Sequence, residues 1–330
     1  MTTAIAPRAP RRPVARPVEG QEIVLAVVLG TLWAFLALTT DTFLTAGNLQ
    51  SVLFAVAPVA VIGVGMTAVM VTAGIDVSVG SGVAVVAVIA ARLVRDQGVP
   101  GYAAMLVAVL AGVLLGAVNG SLVAYGRVHP IVVTFGTLYV FRFVALQLFG
   151  SANVDNVPGT FGLLGGGREG LFLGVPVAWW LTVVIGAVVW FHMRHRVTGR
   201  HWYAVGGDAS AARLAGIKVT RRQIGAYVLT GALVGVAACL MVGSGGTVQR
   251  NIGSGLELQV IAAVVIGGTS VLGGRGSVLG TLLGAILVGT VSSAVTLLGW
   301  PSQLANLFVG VFIIIAVGAD LLRERRRSAL

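Results

Sequence analysis

The sequence predicts an all-α membrane protein, a polytopic bundle of about ten transmembrane helices. Of its 330 residues, 57% are hydrophobic and only 10% are charged, and the mean hydropathy of +0.97 is too high for a fold around one water-facing core. Several apolar stretches reach the roughly 20 residues that a helix needs to cross about 30 Å of hydrocarbon. The 47 glycines suit such a bundle because small residues let membrane helices pack closely.

Hydropathy divides the chain into a transmembrane domain at 23–320 and two basic tails at 1–22 and 321–330. The first tail is rich in Arg, Pro and Ala and has no signal-cleavage pattern, so we predict that it is disordered and cytoplasmic. The predicted spans are 23–40, 52–73, 79–94, 103–124, 131–149, 171–192, 225–243, 257–272, 277–299 and 303–320.

The positive charges predict the orientation of the chain. With the N-terminus inside, seventeen Lys and Arg residues fall on the inner side, four fall outside, and Arg142 lies within a span. This positive-inside bias places both termini of a multi-pass protein in the cytoplasm and indicates the cytoplasmic membrane. Clustering at membrane edges also explains the net charge of +11 without nucleic acid as a partner.

One basic, glycine-punctuated segment interrupts the apolar chain between Arg194 and Arg222: RHRVTGRHWYAVGGDASAARLAGIKVTRR. We predict a cytoplasmic loop at 193–224 in which Asp208 caps a short helix of good helix formers. On that helix Ala211, Leu214 and Ala215 form a small apolar face that suits a groove in a soluble protein. The alternative is a basic loop held by anionic lipid.

Polar residues in or near the spans are few, and each has a structural as well as a transport interpretation. A charge at mid-bilayer costs about 2.5–3.5 kcal/mol on insertion scales, so each charged side chain needs a partner or a wet cavity. Asp76 and Ser78 fit either the cap of the next helix or a broken helix that faces a solute. The candidates for the translocation pathway or a helix break are Asp76, Ser78, Asn119, Arg142, Glu257 and Arg275.

The remaining candidates have similar alternatives. Asn119 is suited to tie helices together, and Glu257 to favour a helix N-terminus. For Arg142 we weigh snorkelling outward against a buried ion pair. Two Gly-rich breaks, VMVTAGIDVSVGSGVAV and AVVIGGTSVLGGRGSVLG, each carry one charge and suggest either an internal duplication or a chance similarity.

No residue pattern predicts catalysis or a metal site. The His192 and His195 pair lacks a nearby Cys, Asp or Glu ligand. The single lysine, Lys218, follows Ile217 rather than the glycines of a phosphate-binding loop. We therefore expect a non-enzymatic chain that binds no cofactor or metal itself.

Four blocks, in order, resemble the permease subunit of ATP-binding-cassette (ABC) importers for simple sugars of the ribose, xylose and autoinducer type. They are GMTAVMVTAGIDVSVGS, GRVHPIVVTFGTLYVFR, GRHWYAVGGDASAARLAGIKV and GLELQVIAAVVIGGTSVLGGRGSVLGTLLGA. The resemblance covers residues 45–320 and implies a type II ABC importer-like permease bundle. The chain departs from the family pattern at Ser210, Gln259 and Phe143, which puts the particular sugar in question more than the family.

The resemblance also implies partners and a mechanism. A second permease copy or sister permease would complete one pathway, two cytoplasmic ABC ATPase domains would bind ATP and Mg, and an extracytoplasmic protein would deliver the sugar. ATP binding would drive alternating access. The implied ATPase-coupling residues are Gly199, Gly207, Asp208, Ala211, Ala212, Arg213, Leu214 and Gly216.

Two other transport classes remain as alternatives. A branched-chain amino-acid ABC permease shares the general architecture, but its substrate requires groups for two charged ends. An ion-coupled secondary transporter needs an ionisable relay in the membrane. For such a relay the sequence offers only Asp76, Arg142 and Glu257.

Overall fold

The computed structural model describes residues 20–165, 170–243 and 246–328, which form an α-helical bundle. Besides the α-helices, the described residues form a 3-10 helix at Gly159–Leu164 and the short strands β1 (Leu171–Phe172) and β2 (Val175–Pro176). The α-helices are α1 (Gly20–Thr39), α2 (Ala46–Val71), α3 (Val79–Gln97), α4 (Gly101–Gly126), α5 (Pro130–Phe149), α6 (Val177–His195), α7 (Val197–Gly207), α8 (Ala209–Leu214), α9 (Val219–Gly243), α10 (Leu256–Ile266), α11 (Val278–Leu297) and α12 (Gln303–Ser328).

The predicted all-α membrane class is confirmed. Within the described residues, seven helices are long and apolar enough to cross a membrane: α1, α2, α4, α5, α6, α9 and α11. The number of about ten crossings stays a prediction, since α10 has only 11 residues. Several predicted spans differ from the helices in their bounds, and two of these differences change the structure at one end of the span. The span at 171–192 begins instead with the β1–β2 hairpin, and the span at 257–272 ends as a helix at Ile266 because glycines follow.

Contacts define two ends of the bundle, the α7 end and the hairpin end. At the α7 end, α7 touches the last residue of α2, the first turn of α9 and the segment that precedes α11. At the hairpin end, the Gln50 side chain near the start of α2 donates to the carbonyl of Gly174 between β1 and β2. The directions of the successive helices place Gly20, the start of α1, and Ser328, the end of α12, at the α7 end of the bundle.

Two helices, α3 and α10, begin inside the bundle. The chain turns back after α2 and starts α3 in the interior, and it turns back after α9 and starts α10 there. A methyl group at Gly80 would lie 2.3 Å from the carbonyl oxygen of Gly253, whose φ is +74°. The first turn of α3 therefore abuts the loop that leads into α10.

Helices α9, α10 and α11 repeat the arrangement of α2, α3 and α4, but each runs through the bundle in the opposite direction. This places the counterpart of the break at 72–78 in the segment before α10. The sequence prediction paired the break with the stretch 263–280, which instead joins α10 to α11 at the α7 end. Local similarity around glycine-rich turns does not distinguish these two segments.

A glycine seam holds α4 against α9. A methyl group at Gly112 would lie 2.1 Å from the carbonyl oxygen of Gly231, and one at Gly231 would lie 2.2 Å from the carbonyl oxygen of Gly112. Methyl groups at Gly116, Gly120 and Gly235 would also come within 2.3, 2.9 and 2.6 Å of the partner helix. Only glycine permits this separation, so the seam accounts for part of the glycine content of the chain.

Candidate functional site

Asp76, Ser78 and Asn119 form a buried polar cluster, which we call the Asp76 cluster. Asp76 Oδ1 accepts hydrogen bonds from the Ser78 amide at 3.0 Å and the Ser78 hydroxyl at 2.6 Å. Asn119 Nδ2 on α4 lies 3.3 Å from each Asp76 oxygen and 2.7 Å from the Ser78 hydroxyl. The structure thus brings together three residues predicted as pathway or helix-break candidates.

The cluster closes the turn before α3. Ser78 occupies the N-cap position, but its side chain makes no cap hydrogen bond, and the carboxylate of Asp76 binds the amide of Ser78 instead. The hydroxyl of Thr134 on α5 donates to the Ile75 carbonyl at 3.0 Å. Side chains from α4 and α5 therefore hold the turn.

Tyr227 on α9 is a further member of this region that the sequence reasoning missed. It is 1% exposed, and a methyl group at Gly74 would lie 2.8 Å from its hydroxyl oxygen. Within the described part of the chain, neither that oxygen nor Asn119 Oδ1 has a hydrogen-bond partner. A tyrosine within an otherwise apolar predicted span was the signal available in the sequence.

Arg142 and Glu257 lie near each other at the start of α10. Arg142 Nη1 donates to the carbonyl of Ile252 at 3.0 Å, so the guanidinium turns toward the interior loop. Glu257 lies in the first turn of α10 and interacts electrostatically with Arg142. A methyl group at Gly80 would lie 2.2 Å from Glu257 Oε2, so this carboxylate also adjoins the first turn of α3.

Both interior carboxylates therefore lie at the N-terminus of a helix. Asp76 precedes α3 and Glu257 begins α10, where negative charge is favoured by the exposed amides of a helix N-terminus. Arg275 lies elsewhere, in the α10–α11 connection at the α7 end, and its carbonyl accepts from the Ser270 amide at 3.1 Å. In the chain as described, no three His, Cys, Asp or Glu residues are grouped to hold a metal ion.

Helix α7 is attached to three other parts of the bundle. Trp202 Nε1 donates to the Arg222 carbonyl at 2.9 Å, and the Tyr203 hydroxyl donates to the Gly276 carbonyl at 3.1 Å. A methyl group at Gly206 would lie 1.8 Å from the carbonyl oxygen of Val71, the last residue of α2. Trp202, Tyr203 and Gly206 were not among the predicted coupling residues.

Helix α8 follows α7 with the cap expected from the sequence. Asp208 Oδ1 accepts from the amides of Ser210 at 2.8 Å and Ala211 at 3.0 Å. Ala212 faces inward against Val205 and Val219. The opposite face is exposed, with Leu214 at 92%.

The other predicted coupling residues lie around this helix. Arg213, Ala211 and Gly207 are exposed. Gly216 has a φ of +78° and ends the turn. Gly199 is buried, and a methyl group there would lie 2.2 Å from the carbonyl oxygen of His192. Gly199 therefore permits the close turn from α6 into α7.

This architecture defines a class of protein. Long apolar helices surround two helices that start in the interior, and a capped helix projects an exposed leucine from one end. Such a chain is a multi-pass membrane protein, and helices that start in the interior are typical of transport proteins.

Comparison with known proteins gives the family. Residues 48–317 match the family described as the permease component of branched-chain amino acid transport systems, and the chain belongs to it. Permease components of ABC importers are transport subunits rather than enzymes. No solved structure matches the chain.

Curated relatives are named as sugar permeases. The ribose import permease of Escherichia coli (strain K12) is 36% identical over 298 residues, covering 89% of this chain and 92% of the relative. The L-arabinose ABC transporter permease of Azospirillum brasilense is 36% identical over 332 residues, covering 99% and 95%. The fructose import permease of Rhizobium meliloti is 34% identical over 305 residues, covering 90% and 84%. These relatives confirm the predicted resemblance to sugar-importer permeases.

Proposed function

We propose that this chain is the membrane-spanning permease of an ATP-driven importer that passes a simple sugar across the cytoplasmic membrane. Relatives named for ribose, arabinose and fructose support the sugar class. The exposed face of α8 supports a separate cytoplasmic motor. A second permease, two ABC ATPase domains that bind ATP and Mg, and an extracytoplasmic sugar-binding protein would complete the assembly.

The α7 end is assigned to the cytoplasm. The basic segment at 194–222 lies at this end, and both chain ends point to it. Lys and Arg near membrane spans favour the cytoplasmic side. The hairpin end would then receive the sugar from the binding protein.

The single observation that carries the proposal is the exposed Leu214 on a helix that is firmly attached to the bundle. A leucine that is 92% exposed next to Ala211 and Ala215 gives α8 an apolar face that no other described residue covers. An apolar helix face fits a groove on a folded partner. The α7 contacts would carry motion of such a partner to α2, α9 and α11.

The proposed cycle is alternating access. ATP binding favours one of two arrangements of the ATPase domains, and their closure would shift α7 and α8. Because Gly206 lies directly against Val71, that shift would reach the α2 end and the turn that carries Asp76. The bundle would change from inward-open to outward-open without chemistry in the permease itself.

The test is reconstitution of the full complex with the ATPase and binding protein encoded beside this chain. We expect ATP-dependent uptake of a sugar from a panel of ribose, arabinose and fructose, and no uptake driven by an ion gradient alone. Uptake of leucine rather than any sugar would favour the amino-acid alternative. Uptake by the isolated chain with an ion gradient would favour a secondary transporter.

A substitution tests the docking face directly. Leu214→Asp places a charge in the proposed interface and should weaken ATPase binding by about 2 kcal/mol or more, roughly 30-fold. Leu173→Asp at the hairpin end is the control, because Leu173 is also 80% exposed outside the helices. Equal ATPase affinity for the two variants, measured by titration in nanodiscs, would remove the support for docking at α8.

A further inference from the structure

A groove with six polar residues in its lining runs between α2 and α11 in the half of the bundle toward the hairpin end. It encloses about 400 Å³, and α10 contributes Gln259 to its wall. Small apolar residues such as Val56 and Ala285 form its deeper surface. The polar lining residues are Asn48, Ser51, Gln259, Ser292, Ser293 and Thr296.

The hydroxyl groups of this groove are free to accept hydrogen bonds. Ser51 donates to the Gly47 carbonyl at 2.8 Å, Ser292 to the Val288 carbonyl at 3.3 Å, and Thr296 to the Ser292 carbonyl at 3.1 Å. Each donor is therefore satisfied within its own helix, and lone pairs on the oxygen remain available.

The amides of the groove add donors and acceptors. Gln259 is partly exposed, and no hydrogen bond to its side chain occurs among the residues that the structure describes. Asn48 Oδ1 accepts from the Ser293 hydroxyl at 3.2 Å. Hydroxyl and amide groups from α2, α10 and α11, next to small apolar groups, suit a neutral molecule that carries many hydroxyls.

The charge of the groove selects the kind of ligand. No Asp, Glu, Lys or Arg is among its lining residues. An amino acid would leave both of its charged ends without partners, which is costly in a desolvated site. If lipid tails filled the groove, the side-chain amide of Gln259 would have no hydrogen-bond partner, which also costs free energy.

We propose that the α2–α11 groove is the surface along which this permease binds the sugar during passage, with Gln259 and the hydroxyls of Ser292 and Thr296 as contacts. This inference rests on the proposed function and deepens it, because it names the route.

Cysteine labelling tests whether water and solute reach the groove. The one native cysteine, Cys239, is buried, so single cysteines can be added to the natural chain. Ser51→Cys and Ser292→Cys should react with methanethiosulfonate ethyltrimethylammonium in membranes that contain the whole complex. The control is Leu106→Cys, which is 60% exposed on α4 and as far from the hairpin end as Ser292.

We expect the groove cysteines to react at least about tenfold faster than Leu106→Cys, because only a thiol in water ionises and reacts. The transported sugar should slow the reaction. Rates equal to that of the control would overturn the proposal and indicate that lipid or a second permease covers the groove. Fast labelling without protection by sugar would also contradict it.

Transport supplies the second readout. Gln259→Leu and Thr296→Val should each reduce uptake of the sugar about 3- to 10-fold, the effect of one lost hydrogen bond. Thr31→Val is the control, since Thr31 on α1 makes the same type of bond to its own helix, at 2.9 Å to the Val27 carbonyl, outside the groove. If the unmodified complex imports sugar and all three variants match it, the groove assignment fails while the proposed function stands. If the unmodified complex imports no sugar, the proposed function itself fails.

Discussion

Replacing Gly206 by alanine tests how α7 is joined to the membrane helices. The added methyl group would lie 1.8 Å from the Val71 carbonyl oxygen and 2.7 Å from the Gly274 amide nitrogen. Ordinary contacts between such atoms need about 3.5 Å, so α7 and the end of α2 must separate by roughly 1.5 Å. Overpacking of this kind costs about 1–3 kcal/mol.

The expected result is a loss of coupling rather than of assembly. Gly206→Ala should lower ATP hydrolysis stimulated by the loaded binding protein about 5- to 150-fold, the range that corresponds to 1–3 kcal/mol of coupling energy. The hydrolysis rate of the assembled complex without binding protein should persist, since α8 and its exposed face are unchanged. The assay is phosphate release in nanodiscs, with co-purified ATPase quantified in each sample.

Gly207→Ala is the matched control for this prediction. A methyl group at Gly207 would meet nothing within 4 Å, and neither glycine has a positive φ. Both substitutions therefore change the helix propensity by the same amount. Only Gly206→Ala places a methyl group against Val71. Equal stimulation in the two variants would refute the reasoning that contact at Gly206 carries the motion.

Two further predictions concern stability. Asn119→Ala should lower the free energy of unfolding by about 1–3 kcal/mol, because it removes the Asn119 donor from the buried Asp76 carboxylate. The measurement is the thermal midpoint, which should be lower than that of the exposed-site control Thr39→Ala. Gly231→Ala should destabilise by a similar amount through the 2.2 Å contact with the Gly112 carbonyl oxygen, whereas Gly225→Ala on the same helix meets nothing within 4 Å and should raise the midpoint slightly. Identical midpoints for the two glycine variants would contradict the role of the seam.

Sequence alone was sufficient for the class of the fold and for the capped helix α8. Hydropathy identifies long apolar helices because crossing lipid requires length and low polarity, and both can be counted. The cap at Asp208 and the exposed face with Leu214 depend on residues within one turn of each other, so spacing on a helix predicts them.

Contacts between distant parts of the chain were beyond the sequence. Nothing local indicates that Asn119 meets Asp76, that Arg142 reaches the Ile252 carbonyl, or that Gly206 lies against Val71. The interior start of α10 was also missed, because hydropathy does not distinguish an 11-residue helix followed by a turn from a full span. The polar groove depends on which faces of α2 and α11 meet, and periodicity in an all-apolar span does not show this.

The glycine seam limits which parts of the molecule can rearrange. Between Gly112 and Gly231 no side chain separates α4 from α9, so sliding or rotation of one helix on the other would drive backbone into backbone. Where side chains form the interface, they can change rotamer and let one helix slide on the other. Two glycine backbones in direct contact have no side chains that could adjust in this way. Helices α4 and α9 should therefore travel as one rigid unit, and the relative displacements of the working cycle fall to helices whose contacts are made by larger side chains.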